Sequence, residues 1–278
     1  MAKNEPIGVF DSGLGGLTVV RQIRKDLPFE QVIYFGDLAR LPYGIKSKQQ
    51  IFEFSKQNAE FLLRLKIKAL VIACNSSSSV AFDYLRSNYQ IPVVDVIKPA
   101  ACEAARETRN FRIGIIGTQA TVDSKAYEIE LKRLNPKIKV FAQACPLLVP
   151  LVEEGIMNEP LTDHVLKRYL SGLLKKKIDT LILGCTHYPL LQAALKRVVG
   201  KNIQLVSSAP AAVEQLQSKL EQRNILRGNG NKGKLKVFVS DRPRNFEKIG
   251  SRFLGESLDD MKVVRLKGEI FESWKWVS

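Results

Sequence analysis

Histidine is almost missing from this 278-residue chain, which has two. Cysteine is scarce as well, at four residues, too sparse for a disulfide scaffold. In a reducing compartment these thiols are expected to be free. No apolar run approaches the roughly 20 residues that span a bilayer. The opening Met-Ala-Lys-Asn-Glu-Pro has no apolar stretch like that of a secretory signal. A soluble, cytoplasmic protein without membrane partners is therefore expected. Acidic residues are in deficit, 28 against 43 Lys and Arg, for a net charge of +15. Such a balance raises nucleic-acid binding as a class. The cations are spread along the chain, however, and are densest at Lys175-Lys176-Lys177 and in the loop 227–234. Neither spot is interleaved with aromatics as a base-stacking surface would be. Nucleic acid is not the expected partner, and the positive field is read as a solvated surface that helps collect an anionic substrate.

Two matched stretches organise the chain. Ala69-Leu-Val-Ile-Ala-Cys74-Asn75-Ser76 and Thr180-Leu-Ile-Leu-Gly-Cys185-Thr186-His187 each run from apolar residues into a cysteine with polar neighbours. An amphipathic helical pattern follows each. Such a run reads as a buried strand feeding a helix. Upstream, Ile7-Gly8-Val9-Phe10-Asp11-Ser12 has its counterpart in Ile113-Gly114-Ile115-Ile116-Gly117-Thr118. The separation from Gly8 to Cys74 nearly equals that from Gly114 to Cys185. Four segments matched in order predict an α/β protein of two pseudo-symmetric α/β domains with mainly parallel sheets. The expected boundaries are 1–98 plus 210–278 for the first domain and 99–209 for the second. In such folds ligands bind beyond the carboxyl ends of the strands, so the cleft between the halves is the expected site.

The pattern along the chain predicts strands at 7–10, 31–35, 90–96, 112–116, 138–142, 235–239 and 262–266, besides the two that lead to the cysteines. Helices are predicted to follow Gly16 as far as Asp26 and at 48–65, 100–108, 123–134, 160–174, 210–222 and 241–255. Lys98-Pro99 reads as a crossing between halves, and 117–121 as a turn. The tail is too short for a domain and is expected to complete the first half.

Two facing thiols suit inversion at a carbon centre. One thiolate removes a hydrogen from one face while the other thiol returns a proton to the opposite face. A free thiol has a pKa of about 8.5, so one must be held as thiolate near neutral pH. A neighbouring His⁺ or a helix N-terminus does this. Both cysteines are expected to precede helix starts, and His187 lies two residues beyond Cys185. Asp11 and Glu153 are candidates to orient or polarise the acid–base groups. Rival readings remain at this point. Cys74, Cys185 and His187 could ligate zinc, but the spacing lacks paired ligands and a fourth is missing. A covalent nucleophile gives no reason for a second cysteine in the matching place. The glycines after Asp11 put Thr18 where a dinucleotide loop needs its last Gly. Cys102 and Cys145 read as buried structural cysteines, and His164 as a core or exposed helix residue. Asp37 and Tyr43 are cleft candidates or turn residues.

At these residues the sequence resembles the glutamate racemases, a cofactor-independent amino-acid racemase family. The likeness is carried by IGVFDSGLGGLTV (7–19), YFGDLARLPYG (34–44), ACNSSS (73–78), IGIIGTQATVDSKAY (113–127), CPLLVPLVEEG (145–155) and LILGCTHYPLL (181–191), and covers nearly the whole chain. It implies interconversion of L- and D-glutamate for bacterial peptidoglycan synthesis, with no cofactor and no metal. It implies Cys74 and Cys185 as the acid–base pair, acting on the D- and L-isomer respectively, assisted by Asp11, Glu153 and His187, with Asp37 a weaker candidate. Substrate contacts are implied for Asp11, Ser12, Tyr43, Gly44, Asn75, Ser76, Thr118, Thr121, Thr186 and His187. Ser76 stands where the family usually has Thr, and Leu38 replaces another usual Thr. No extension precedes the first strand, so control by a precursor nucleotide through one is not expected. A related racemase for aspartate would share the thiol pair. A homodimer is compatible with the sequence, which marks no interface.

Overall fold

The computed structural model describes residues 3–242, 246–258 and 261–265. Among the described residues ten strands form in chain order: β1 (Ile7–Asp11), β2 (Val32–Gly36), β3 (Ala69–Ile72), β4 (Val93–Asp95), β5 (Arg112–Gly117), β6 (Lys139–Ala144), β7 (Thr180–Gly184), β8 (Gln204–Ser207), β9 (Leu235–Val239) and β10 (Met261–Val263). They make two sheets. One has the order β10-β9-β2-β1-β3-β4 and the other β6-β5-β7-β8. Every pairing is parallel. The order β2-β1-β3-β4 repeats as β6-β5-β7-β8, so the sequence duplication is a duplication of topology. The tail supplies β9 and β10, which extend the first sheet through β2.

Side-chain alternation sorts each strand between two cores. On β1, Ile7 and Val9 join a cluster with Leu181 and Leu183 of β7, whereas Phe10 points to a second cluster with Phe35, Phe61 and Ile72. On the second sheet Ile113, Ile115 and Ile182 face a third cluster with Tyr127 and Leu131. One apolar cluster is thus shared by a face of each sheet. That fixes the two sets of strand tips relative to one another.

Several elements differ from expectation. Lys98-Pro99 lies inside the helix Ile97–Glu107. Proline is tolerated in a first turn, where its missing N–H has no helical partner. The Asp95 carboxylate there accepts from the Ile97 and Lys98 amides at 3.1 and 3.0 Å. The expected turn at 117–121 opens a short helix, Gln119–Asp123, capped by the Thr118 hydroxyl. The helix expected at 123–134 begins only at Ala126, because Lys125 takes a left-handed conformation. The edge strand β8 was not anticipated. Residues 243–245 of the expected helix at 241–255, residue 266 of the last expected strand, and 1–2, 243–245, 259–260 and 266–278 of the first expected domain lie outside the described residues. Among the described residues no helix is long and apolar enough to cross a membrane.

Candidate active site

The carboxyl ends of β1, β3, β5 and β7 deliver Asp11, Cys74, Thr118 and Cys185 to one cavity of about 200 Å³. Its wall includes every residue implied by the resemblance except Thr121 and the weaker candidate Asp37. The Thr121 hydroxyl stands just behind, 3.0 Å from Thr118 Oγ1 and 3.5 Å from Ser76 Oγ. Ser76 Oγ in turn lies 2.9 Å from Thr118 Oγ1. Three hydroxyls from the two halves therefore meet at one corner. Gln119 and the apolar Leu41, Pro42, Ile45, Pro146, Val149 and Pro150 complete the wall. Sequence reasoning missed these apolar residues, since nothing in their local pattern separates a cleft wall from a loop. The volume lies below the ~300–1,000 Å³ usual for drug-sized ligands, which suits a small metabolite.

Cys74 forms the N-cap of the helix Asn75–Asn88 and is 5% exposed. Its Sγ lies 3.6 Å from Ser12 Oγ. Burial, with the Asp11 carboxylate adding to it, pushes the Cys74 thiol up to about 12 against the opposing contacts of Ser77 and Ser12. Asp11 is itself buried. Its Oδ2 accepts from the Gly16 and Gly13 amides at 2.9 and 3.3 Å, while Oδ1 has no partner. Burial raises its pKa, opposed by the charge of His187 and by the backbone amides. Asn75 Oδ1 accepts from the Tyr127 hydroxyl at 2.7 Å, and its Nδ2 is buried without a partner. Orphaned buried polar atoms in a cavity wall are what a polar ligand would satisfy.

Cys185 has different surroundings. It was expected to precede a helix, but Pro189 lies in a 3-10 turn, Tyr188–Leu191, and the α-helix opens only at Gln192. The helix-terminus argument therefore applies to Cys74 and not to Cys185. In its place, Cys185 Sγ lies 3.8 Å from His187 Nδ1, and His187 Nε2 lies 3.1 Å from Glu153 Oε1. Burial disfavours the imidazolium, yet contacts with Cys185 and Glu153 prevail and raise His187 to about 10. His187 is thus protonated at neutral pH. Glu153 is carried by the helix Leu148–Glu154.

Asp37 is fully buried and does not line the cavity. It accepts from the Tyr43 hydroxyl, from Arg40 Nε at 2.6 Å and from Ser240 Oγ at 2.9 Å. Asn58 Nδ2 also donates to the Tyr43 hydroxyl at 3.0 Å. Asp37 braces the wall from behind. Cys145 is buried as expected, but Cys102 is only half-buried and His164 is exposed. Among the described residues no cluster of three metal-ligating side chains forms.

A two-sheet α/β frame thus sets two thiols and a His–Glu pair on one small cavity, the frame of an α/β enzyme. The model of the Asp/Glu/hydantoin racemase family matches residues 7–216. The glutamate racemase of Syntrophus aciditrophicus is 47% identical, over 94% of this chain and 97% of its own. That of Neisseria meningitidis serogroup A is 47% identical, over 96% and 98%. The crystal structure of the Francisella tularensis glutamate racemase in complex with D-glutamate superposes with a TM-score of 0.89 at 38% identity, covering 94% of this chain and 98% of that one. The chain belongs to the Asp/Glu/hydantoin racemase family and is an amino-acid racemase.

Proposed function

We propose that the chain is a glutamate racemase that moves the α-proton between two thiols. The observation that carries the reading is the placement of Cys74 and Cys185 at topologically equivalent strand tips on one cavity. Its full-length relatives named as glutamate racemases support the choice of substrate.

The reaction requires one thiol and one thiolate, and the two sulfurs have different surroundings. The Cys74 thiol, pushed up to about 12, holds its proton. Cys185 Sγ stands 3.8 Å from His187 Nδ1, which places it to act as the base. In the L-to-D direction the Cys185 sulfur takes the α-hydrogen as a proton and leaves the electron pair on the α-carbon. Cys74 then delivers its proton to the opposite face. Cys185 ends as thiol and Cys74 as thiolate, which is the state required for the reverse direction. The substrate ammonium lies beside Asp11 and gives its unpaired Oδ1 a donor. It also supplies the positive charge that a Cys74 thiolate needs. Asn75 Nδ2 and the hydroxyls of Ser12, Ser76, Thr118 and Thr186 receive the carboxylates, with the Tyr43-Gly44 lip closing over them. Thr121 holds Ser76 and Thr118 in place. The domain division at 98 and 210 gives each half one thiol, and D-glutamate so made would feed bacterial peptidoglycan synthesis.

Chiral analysis of purified enzyme given L-glutamate or L-aspartate tests this reading. D-glutamate should form without added cofactor. Cys74→Ala and Cys185→Ala should each lose about 10²–10⁴-fold in rate, the usual contribution of a general acid or base. Turnover of aspartate alone contradicts the substrate assignment, and wild-type rates in either variant contradict the two-thiol assignment.

A further inference from the structure

The tail helix Phe246–Leu254 reaches the candidate site from outside the motifs that define it. It packs along the helix Leu17–Asp26, which follows the Asp11–Gly16 loop. Phe253 is fully buried, and its ring stands edge-to-face with His187 at a centroid distance of 5.0 Å and an interplanar angle of 77°. It shares an apolar cluster with Leu14, Leu17, Val152 and Cys185. The preceding residue, Arg252, lies against Gly155, the left-handed C-cap of the helix that carries Glu153. A Cβ on Gly155 would come within 2.8 Å of Arg252 Nη1. Two successive tail residues therefore stand against the His187 ring and against the end of the helix that carries Glu153.

A phenyl ring offers no hydrogen-bond partner to an imidazolium and excludes water from the face it covers. The two ring nitrogens of His187 are left facing Cys185 Sγ and Glu153 Oε1. The other charged groups near the pair are Asp11, which feels the His187 charge, and Arg252. The His187 side chain is 4% exposed whereas that of Glu153 is 30% exposed, so the ring is the protected member, and around a buried ring such interactions are stronger than in water.

We propose that Phe253, supported by Arg252, is a positioning residue for racemisation, sealing the His187 ring and orienting it toward Glu153 and Cys185. The proposal rests on the two-thiol reading for its kinetic consequence but not for its structural one. Phe253→Leu keeps the apolar volume roughly and removes the ring. Two readouts separate positioning from simple loss of stability. The first is solvent exchange of the His187 ring N–H, followed by NMR. The chain has only one other histidine, the exposed His164, so assignment is direct. Exchange of the Nε2 proton should speed up by at least about tenfold as the site admits water.

The second readout is the primary isotope effect with α-deuterated substrate. The two enantiomers have equal free energy, so kcat/KM must fall by the same factor in both directions in any variant. The isotope effect is free of that constraint. It should rise for L-glutamate, where Cys185 takes the proton, more than for D-glutamate. Arg252→Gln should move both readouts the same way by a smaller factor. Wild-type exchange of the His187 proton in folded Phe253→Leu overturns the proposal, as does an isotope effect unchanged in both directions. If the wild-type enzyme does not turn over glutamate, the substrate reading fails, while the exchange measurement still decides the role of Phe253.

Discussion

His187 and Cys74 show how burial acts in opposite ways on two members of one site. Burial keeps the Cys74 proton on. At His187 it is outweighed by Cys185 and Glu153, and the ring stays charged. The consequence for stability has a definite sign. The folded-state value of His187, about 10, lies above its ordinary value of 6.5. The contribution of the protonated ring is therefore fully present below about pH 6.5 and is lost as pH rises through 10. The stability difference between the wild type and His187→Asn, measured by denaturant unfolding across pH, should shrink from pH 7 to pH 10. A difference that grows over that range contradicts the assignment. At this scale the sequence was informative where chemistry repeats. A cysteine closing each of two similar apolar runs is visible without a structure, and so is a histidine two residues from one of them. The pairing of Asp37 with Tyr43, and of Phe253 with His187 across 66 positions of chain, left no local trace.

The elements were legible in proportion to the local forces that make them. Buried parallel strands are near-continuous apolar runs, so β1, β3, β5 and β7 stand out, and with them the tips that carry the site. β8 has an exposed Gln204 and only four residues, too little periodicity to separate it from a loop. The helix expected directly after Cys185 fails for a local reason: Pro189 falls in a 3-10 turn ahead of the helix that starts at Gln192. Caps behaved as their chemistry requires. Ser47 opens the helix Lys48–Arg64 by accepting from the Gln50 amide at 3.2 Å. Ser47→Ala should cost ~1 kcal/mol by chemical denaturation and leave racemisation unchanged. A loss of activity as well would mean that the cap also holds the nearby Tyr43–Ile45 wall in place.

Across the whole molecule the site exists only because the two sets of strand tips face each other closely. Gly15, in the loop after β1, is the tightest point of that approach. A Cβ there would collide with Thr186 Oγ1 and His187 Nδ1, and Thr18 Oγ1 reaches Thr186 O at 3.4 Å. Gly15→Ala should thus push the halves apart and lower kcat/KM by about 10²-fold, as misplacement of catalytic groups by 1 Å does. Its stability should fall as well, by about 1–3 kcal/mol, the usual cost of overpacking a buried contact. Unchanged kinetics would show that the cleft tolerates a wider setting. The duplicated strand order was foreseeable from four matched segments, whereas the closeness of the halves depends on contacts far apart in sequence.

The central claim is that the α-proton leaves to one thiol and returns from another. The most direct test is NMR and chiral analysis of the first few per cent of reaction with L-glutamate in D₂O. The account predicts D-glutamate carrying deuterium at the α-carbon, while the recovered L-glutamate keeps its hydrogen. Rapid deuteration of the recovered L-glutamate, or D-glutamate that retains the original hydrogen, would mean that a single group handles both faces and would contradict it.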